Sequence, residues 1–281
     1  MVVVTVICPL YNAEKTFLSF HKSLLKQKGV DSVEIRYILT ESNDKTEALL
    51  NDNKIEYEKV KKSDFSHSLT REKVAMNAKG NVIVFLTQDV IIKDEEFIKK
   101  LIAPILSGEA QATYAKQVTK YNNIEKYTRE YNYPVESFVV SKSDLAKKGL
   151  KTFFFSDAAG AIDAKTFKKL GGYDGKNLPI SEDMYFAHKL IMSGGVIKYV
   201  AEAKVYHSHN FSIKELFDRY KLTGKFMKMN PQIAKYGINS AGGGMAKYIL
   251  KRAIEDRNWG VLLRYVPNMA ARFVGMKVGE R

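Results

Sequence analysis

NVIVFLTQDV, residues 81–90, decides how this chain is read. Asn81–Leu86 is dominated by β-branched, aromatic and aliphatic side chains, and the run ends abruptly at Thr87, Gln88 and Asp89. A short, continuous apolar run bounded by polar residues reads as a strand buried on both faces, as in a parallel sheet covered by helices. Such sheets bind ligands beyond the carboxyl ends of their strands. A carboxylate delivered at that point, Asp89, is therefore a candidate site residue.

Outward from this strand the chain alternates. Val2–Cys8, Val33–Leu39 and Ile55–Val60 read as further strands. Between them, Ala13–Gln27 carries Phe17, Phe20, Leu24 and Leu25 at helical spacing, and Asp44-Lys45-Thr46-Glu47 resembles a capping box that opens a second helix. Ser68–Asn77 and Asp94–Leu106 read as helices on either side of the central strand. This βαβ rhythm predicts an α/β fold with a mostly parallel central sheet and helices on both faces. After residue 110 the rhythm changes. Ala112–Val118 and Phe153–Ile162 read as strands, and Tyr121–Pro134 as a mobile or acceptor-facing segment. Ala164–Leu170 and Ser181–Met192 read as helices, and Val196–Tyr206 as a last strand closing on His207 and His209. Beyond Phe211 the pattern is helical, interrupted at Gly237–Gly244. The expected organisation is a first half (1–110), a second half (111–210) and a basic helical extension (211–281).

Polar residues follow three predicted strands: Pro9, Tyr11 and Asn12 after the first, Thr40, Glu41 and Ser42 after the second, and Thr87, Gln88 and Asp89 after the fourth. In a parallel sheet these ends share one rim. Neither GxGxxG nor GxxxxGK[ST] is present, so a nucleotide here needs another cradle, with a metal ion handling its phosphates. Mg²⁺ and Mn²⁺ often use one or two carboxylates plus substrate phosphates, which suits Asp89. Glu182-Asp183 opens a helix, where carboxylates are favoured in any case. Their chemical reading is a general base that takes a proton from an attacking hydroxyl. A glycosidase needs two carboxylates; a transferase whose leaving group is a metal-bound diphosphate needs only the base. His207 and His209 point the same way if they continue a strand, and either could ligate the metal. Arg71 could fork onto a phosphate.

The composition is that of a globular chain: 281 residues, 45% of them apolar. No run approaches the roughly 18 apolar residues of a membrane span. The N-terminal MVVVTVICPL lacks the basic n-region of a signal peptide, and the single cysteine, Cys8, cannot form an internal disulfide. Both suit a cytoplasmic protein. Net charge is +14, and residues 211–281 hold 14 Lys/Arg against 5 Asp/Glu, a net +9. That imbalance predicts an anionic partner. With Phe226, Met227, Trp259 and Leu262 nearby, the extension is expected to rest peripherally on an anionic inner membrane surface. Nucleic acid is not expected, because Glu41, Asp89, Glu182 and Asp183 oppose it on the predicted rim. A nucleotidyltransferase would usually carry a Gly-rich basic loop after the first strand, and PLYNAEKTF is not one.

ICPLYNAEKTF, TESNDKTE, the Ser68–Gly80 segment running into VIVFLTQDV, and SEDMYFAHKL together resemble family-2 glycosyltransferases of the GT-A fold, over roughly residues 3–210. FSHSLTREKVAMNAKGNVIVFLTQDVIIKDEEFI, FFFSDAAGAIDAKTF and YVAEAKVYHSHNFS look more specifically like bacterial rhamnosyltransferases. The resemblance implies an inverting enzyme using dTDP-β-L-rhamnose, or another donor such as a UDP-hexose. Its acceptor would be a saccharide, expected on a polyprenyl diphosphate, in cell-wall or capsule polysaccharide synthesis. It implies that Pro9, Tyr11, Asn12, Glu41, Arg71 and Gln88 bind the nucleotide sugar, with Asp89 as the last acid of a DxD motif on Mg²⁺ or Mn²⁺. Asp183, flanked by Glu182, would be the base, Asp157 would orient a sugar, and His207 or His209 would lie near the metal. The motif reads TQD here, so its first carboxylate is missing. Oligomeric state is not legible, and a homo-oligomer stays open.

Overall fold

The computed structural model describes residue 1 and residues 3–281, without the side chains of 238–241; Val2, where the first strand was expected to begin, lies outside the described residues. The chain builds β1 (Val3–Leu10), α1 (Phe17–Leu25), β2 (Ser32–Thr40), α2 (Thr46–Asp52), β3 (Tyr57–Val60), α3 (His67–Met76), β4 (Val82–Leu86) and α4 (Phe97–Leu106). There follow β5 (Ala112–Val118), α5 (Ile124–Asn132), β6 (Phe138–Val140), α6 (Leu145–Lys148), β7 (Ala159–Asp163), α7 (Ala164–Lys169), α8 (Glu182–Met192) and β8 (Ile197–Tyr206). The C-terminal quarter is helical: α9 (Ile213–Met229), α10 (Pro231–Ala234), α11 (Ile238–Glu255) and α12 (Trp259–Glu280).

Eight strands form one sheet in the order β3-β2-β1-β4-β7-β5-β8-β6. The opening stretch explains its centre. Successive side chains of a strand face opposite ways. Ile83 and Phe85 therefore enter one core with Tyr114, Phe167 and Phe186, while Val82, Val84 and Leu86 enter the other with Phe17, Phe97 and Leu101. Both faces of β4 are buried, hence the continuous apolar run.

The sheet is mixed rather than nearly all parallel. The block β3-β2-β1-β4 is parallel, and β5 runs parallel to β8. Strand β7 inserts antiparallel between β4 and β5, and β6 adds antiparallel to β8. The reversal has a useful consequence: the rim that receives the carboxyl ends of β1, β2, β4, β5 and β8 receives the amino end of β7. Ser156 and Asp157, just before β7, thus join residues that follow the parallel strands.

Several expected elements differ. Tyr121–Pro134, to which the sequence assigns no helix or strand, contains α5, capped by Asn123, whose Oδ1 accepts from the Glu125 N–H at 2.9 Å. Tyr127 on α5 is fully buried against Ile249 and Ala253 of α11 and Val261 of α12. Only the second half of Phe153–Ile162 is strand, because Phe153 and Phe155 turn into the core from a 3-10 turn and a loop. The capping box does not form, because the residue capping α2 is Lys45, whose side chain makes no cap bond. Asp44 Oδ1 accepts from the Thr46 N–H, but Glu47 turns away to Lys59 and Tyr57. The glycine-rich interruption shrinks to Gly237, whose positive φ of 96° sets off α11. Phe226 and Met227, expected at a membrane surface, are buried. Leu262 is only partly buried and packs on the cluster beneath α5.

Candidate active site

Side-chain amides and hydroxyls knit the strand-end loops of the first half together. Gln88 clamps the backbone of Tyr11 from both sides: its Oε1 accepts from the Tyr11 N–H and its Nε2 donates to the Tyr11 carbonyl, each at 2.7 Å. Asn12 sits at φ 48°, a left-handed conformation that asparagine tolerates. Its N–H donates to Ser42 Oγ and its Oδ1 accepts from the Asn43 N–H, both at 3.0 Å. Glu41 is exposed and accepts from the Lys62 N–H at 3.0 Å. Pro9 lies in β1 itself, and Tyr11 projects outward with the Lys62 ammonium over its ring. Asn12 and Gln88 therefore hold the loops through these bonds, while Tyr11 and Glu41 remain presented to solvent.

At the ends of β4 and β8, Asp89, His207 and His209 converge, with their ligand atoms all within 4.8 Å of one another. His207 Nε2 stands 3.3 Å from Asp89 Oδ2, and His209 Nδ1 stands 3.9 Å from it. Both histidines offer a ligand atom to the cluster. Behind His207 lies Gln117 of β5, which sequence reasoning missed. The Arg129 guanidinium donates to Gln117 Oε1, the Gln117 amide donates to Ser156 Oγ at 2.8 Å, and His207 Nδ1 lies 2.8 Å from the same Oε1. Arginine has only donors, so the Gln117 oxygen must face it. His207 Nδ1 must then carry a proton. The Nε2 of neutral His207 consequently turns a lone pair toward a carboxylate oxygen. That approach is repulsive unless a proton or a cation lies between them.

The donor set, one carboxylate and two imidazoles, fits Mn²⁺ better than Mg²⁺. Burial alone would raise the Asp89 carboxyl, but with a proton on His207 Nε2 the hydrogen bond and charge of that ring hold it well below the usual carboxylate range. Burial, reinforced by His207, lowers His209 to about 4, so it offers a neutral nitrogen at neutral pH. The Thr87 hydroxyl stands where the family motif has its first acid, buried beside Asp89, whose carboxyl it helps to lower.

The second acidic point is built on α3, α8 and the loop before β7. Asp157 is buried, and its Oδ2 accepts from the Tyr173 hydroxyl at 2.6 Å while Oδ1 has no partner among the described residues. Burial, then the nearby Glu182 charge, pushes Asp157 up to about 7 against the opposing pull of Arg71. Arg71 is not a free fork. It is buried, with Nη1 donating to the His67 carbonyl at 2.9 Å and pairing with Glu182 at 3.3 Å. Glu182 is thereby committed, which leaves Asp183 as the more available carboxylate. Burial first, then Glu182 and Asp157, raises the Asp183 carboxyl well above the ordinary range, partly offset by the Met184 N–H. A raised carboxyl is a stronger base once ionised. Ser181, at φ 62°, makes the sharp entry to α8. The loop before it is tied to α3: Glu72 accepts from the Tyr173 and Gly175 N–H groups, and Ser68 Oγ accepts from the Leu178 N–H.

The two acidic points share neighbours. Ser156 contacts Gln117 on the histidine side, and Asp157 follows it on the Asp183 side. Arg219 of α9 lies within electrostatic range of both Asp183 and His209, and its guanidinium stacks over Phe211, which stacks on His209. Arg219 is a second residue the sequence did not single out, since nothing separates it from the other basic residues of the extension. A surface depression of about 490 Å³ bordered by Lys22, Lys26, Lys93 and Asp94 contains none of these groups.

Residues 5–171 match the family described as Glycosyl transferase family 2, which is more than half of the chain. The chain is a family-2 glycosyltransferase. Among curated relatives of this glycosyltransferase, the O-antigen chain rhamnosyltransferase RfbN of Salmonella typhimurium is 32% identical over 287 aligned positions, covering 99% of this chain and 89% of that protein. The O-antigen chain rhamnosyltransferase WbaN of Salmonella anatum is 31% identical over 230, covering 79% and 71%. In fold, the glycosyltransferase resembles the mannosyltransferase PcManGT from Pyrobaculum calidifontis, solved with GDP-Man and Mn²⁺ (TM-score 0.62, 13% identity, 99% and 88% covered). It also resembles S. aureus TarS 1-349, solved with UDP (TM-score 0.56, 15% identity, 98% and 90% covered). The fold is thus an α/β GT-A type with a mixed sheet and a C-terminal helical extension. The enzyme transfers a sugar from a nucleotide donor to a saccharide or lipid-linked acceptor.

Proposed function

We propose that this glycosyltransferase moves L-rhamnose from dTDP-β-L-rhamnose to a saccharide acceptor, carried on a polyprenyl diphosphate, during bacterial surface-polysaccharide synthesis. The observation that carries the donor is the near full-length likeness to RfbN, an O-antigen chain rhamnosyltransferase. In this reading Asp183 takes the proton of an acceptor hydroxyl as its oxygen attacks the anomeric carbon in line. The β-linked donor then yields an α-rhamnoside with inversion. Asp157, unpartnered at Oδ1, turns toward a sugar hydroxyl, and Tyr11 and Glu41 frame the nucleotide while Gln88, Asn12 and Pro9 hold that frame. Asp89, His207 and His209 would hold the divalent cation, which neutralises the charge developing on the departing diphosphate. Arg71 acts through Glu182 rather than on a phosphate.

A second reading keeps the reaction and changes the donor to a UDP-hexose. Glu41 favours neither base, because uracil and thymine present the same N3–H to a carboxylate.

A thermal-shift panel of sugar nucleotides with Mn²⁺ decides between them. Selective stabilisation by dTDP and dTDP-rhamnose is expected; selective stabilisation by a UDP-hexose would replace the donor. Asp183→Asn should abolish transfer and keep donor binding. Near-normal turnover in that variant would remove Asp183 as the base.

A further inference from the structure

Helix α12 is built the wrong way round for a surface helix. Its protein-facing side is small and polar: Asn268, Ala271, Arg272, Gly275 and Gly279 are its buried residues after Val261. Its outward side is apolar. Trp259 is 70% exposed, Leu263 83%, Val266 71% and Phe273 62%, with Val274 at 47%. Intervals of four, three and seven residues keep these side chains on one face of a helix. Trp259 to Val274 spans about 22 Å at about 1.5 Å per residue. Isolated exposed apolar residues are ordinary, but a continuous stripe of this length marks an interaction surface.

The buried side explains why the stripe cannot turn inward. Glycines 224, 275 and 279 let the backbones of α9 and α12 touch: a Cβ on Gly279 would collide with the Lys221 carbonyl, and one on Gly224 with the Met276 carbonyl. Arg272 adds a hydrogen bond of 2.7 Å to the Tyr220 hydroxyl. Rotating α12 to bury Leu263 and Phe273 would break all of these contacts. The face is therefore fixed outward by the fold.

We infer that this face is the seat of an anionic lipid surface, on which α12 lies parallel to the membrane plane. Charge selects the occupant. On α12 the exposed cation is Arg264, while Arg272 is buried against Tyr220 and Lys277 pairs with Glu280 at the helix end. The whole extension carries 14 Lys/Arg against 5 Asp/Glu. A second copy docking through the same patch would set the net positive charge of one extension against that of the other, because a two-fold contact repeats one surface. An anionic headgroup layer receives both the apolar stripe, with Arg264 beside it, and the net positive charge of the extension. No helix among the described residues is long and apolar enough to cross a membrane, so the helix rests on the bilayer. The residues that make the contact are Trp259, Leu263, Val266 and Phe273, not the buried Phe226 and Met227. This inference does not depend on which sugar is transferred.

The test is cosedimentation of the full chain with vesicles of phosphatidylcholine alone and of phosphatidylcholine mixed with phosphatidylglycerol, at low and high salt. Binding to the mixed vesicles that weakens with salt is expected. The double variant Leu263→Glu/Phe273→Glu should weaken it by about tenfold or more, since two buried apolar side chains are lost. Its circular dichroism and nucleotide-induced thermal shift should match the parent chain. Three results would overturn the inference: no binding to mixed vesicles, binding indifferent to the double variant, or a dimer of the parent chain that the double variant splits while neither binds vesicles.

Discussion

Gln117 bears no charge, yet its orientation decides what His207 can do. Arg129 pins the amide oxygen, and that oxygen pins the His207 proton on Nδ1. A partner behind a ligating imidazole typically tunes metal affinity by roughly 10–100-fold. Gln117→Leu should therefore weaken Mn²⁺ binding, read by paramagnetic resonance titration, by about that factor while leaving the fold intact. Unchanged affinity would show that Gln117 is only filling space. Asp157 offers a test through stability. Its folded pKa, about 7, exceeds an unfolded value near about 4. The folded chain thus binds the extra proton between these values, and stability falls as pH rises through that window. Asp157→Asn removes the titration but keeps an acceptor for the Tyr173 hydroxyl. Its stability relative to the parent should rise between about pH 4 and about pH 7 and then level off. Denaturant melts across that range measure it, and a difference independent of pH would contradict the assignment.

At the scale of elements, glycines separate packing from propensity. Gly279 and Gly243 both lie within helices. A Cβ at 279 meets the α9 backbone, whereas one at 243 meets nothing within 4 Å. Gly279→Ala should cost about 1–3 kcal/mol by overpacking, and Gly243→Ala should gain up to about 1 kcal/mol by helix propensity. Opposite signs in thermal or denaturant melts are expected; equal signs would mean that α12 is not seated on α9 as described. The same elements show where sequence reading works. Strands β1, β2 and β4 and helices α1, α4, α7 and α8 are legible because their apolar period is local. Helix α5 is not, because the residues that bury Tyr127 lie more than a hundred positions later. Strand β6 is three residues long and exists only by pairing with β8.

Across the whole molecule, the polar rim was legible and its wiring was not. Asp89, His207 and His209 could be expected together because each closes a strand. That Ser156 and Asp157 join them follows from the antiparallel insertion of β7, which no local pattern announces. Glu182 and Arg71, read as separate site residues, neutralise one another in the interior. Removing either alone would strand a buried charge, at a cost of roughly 3–5 kcal/mol. The basic extension was legible as charge, but its apolar face emerged only once α12 was seated on α9. The proposed mechanism needs these features to share one crevice, with a cation site at the ends of β4 and β8 and a base at the start of α8. Anomalous diffraction from crystals grown with Mn²⁺ and dTDP tests that arrangement most directly. A manganese peak bonded to Asp89 and His207 is expected, with the diphosphate on it and open space leading to Asp183. Manganese bound elsewhere, or a diphosphate with no path to Asp183, would contradict it.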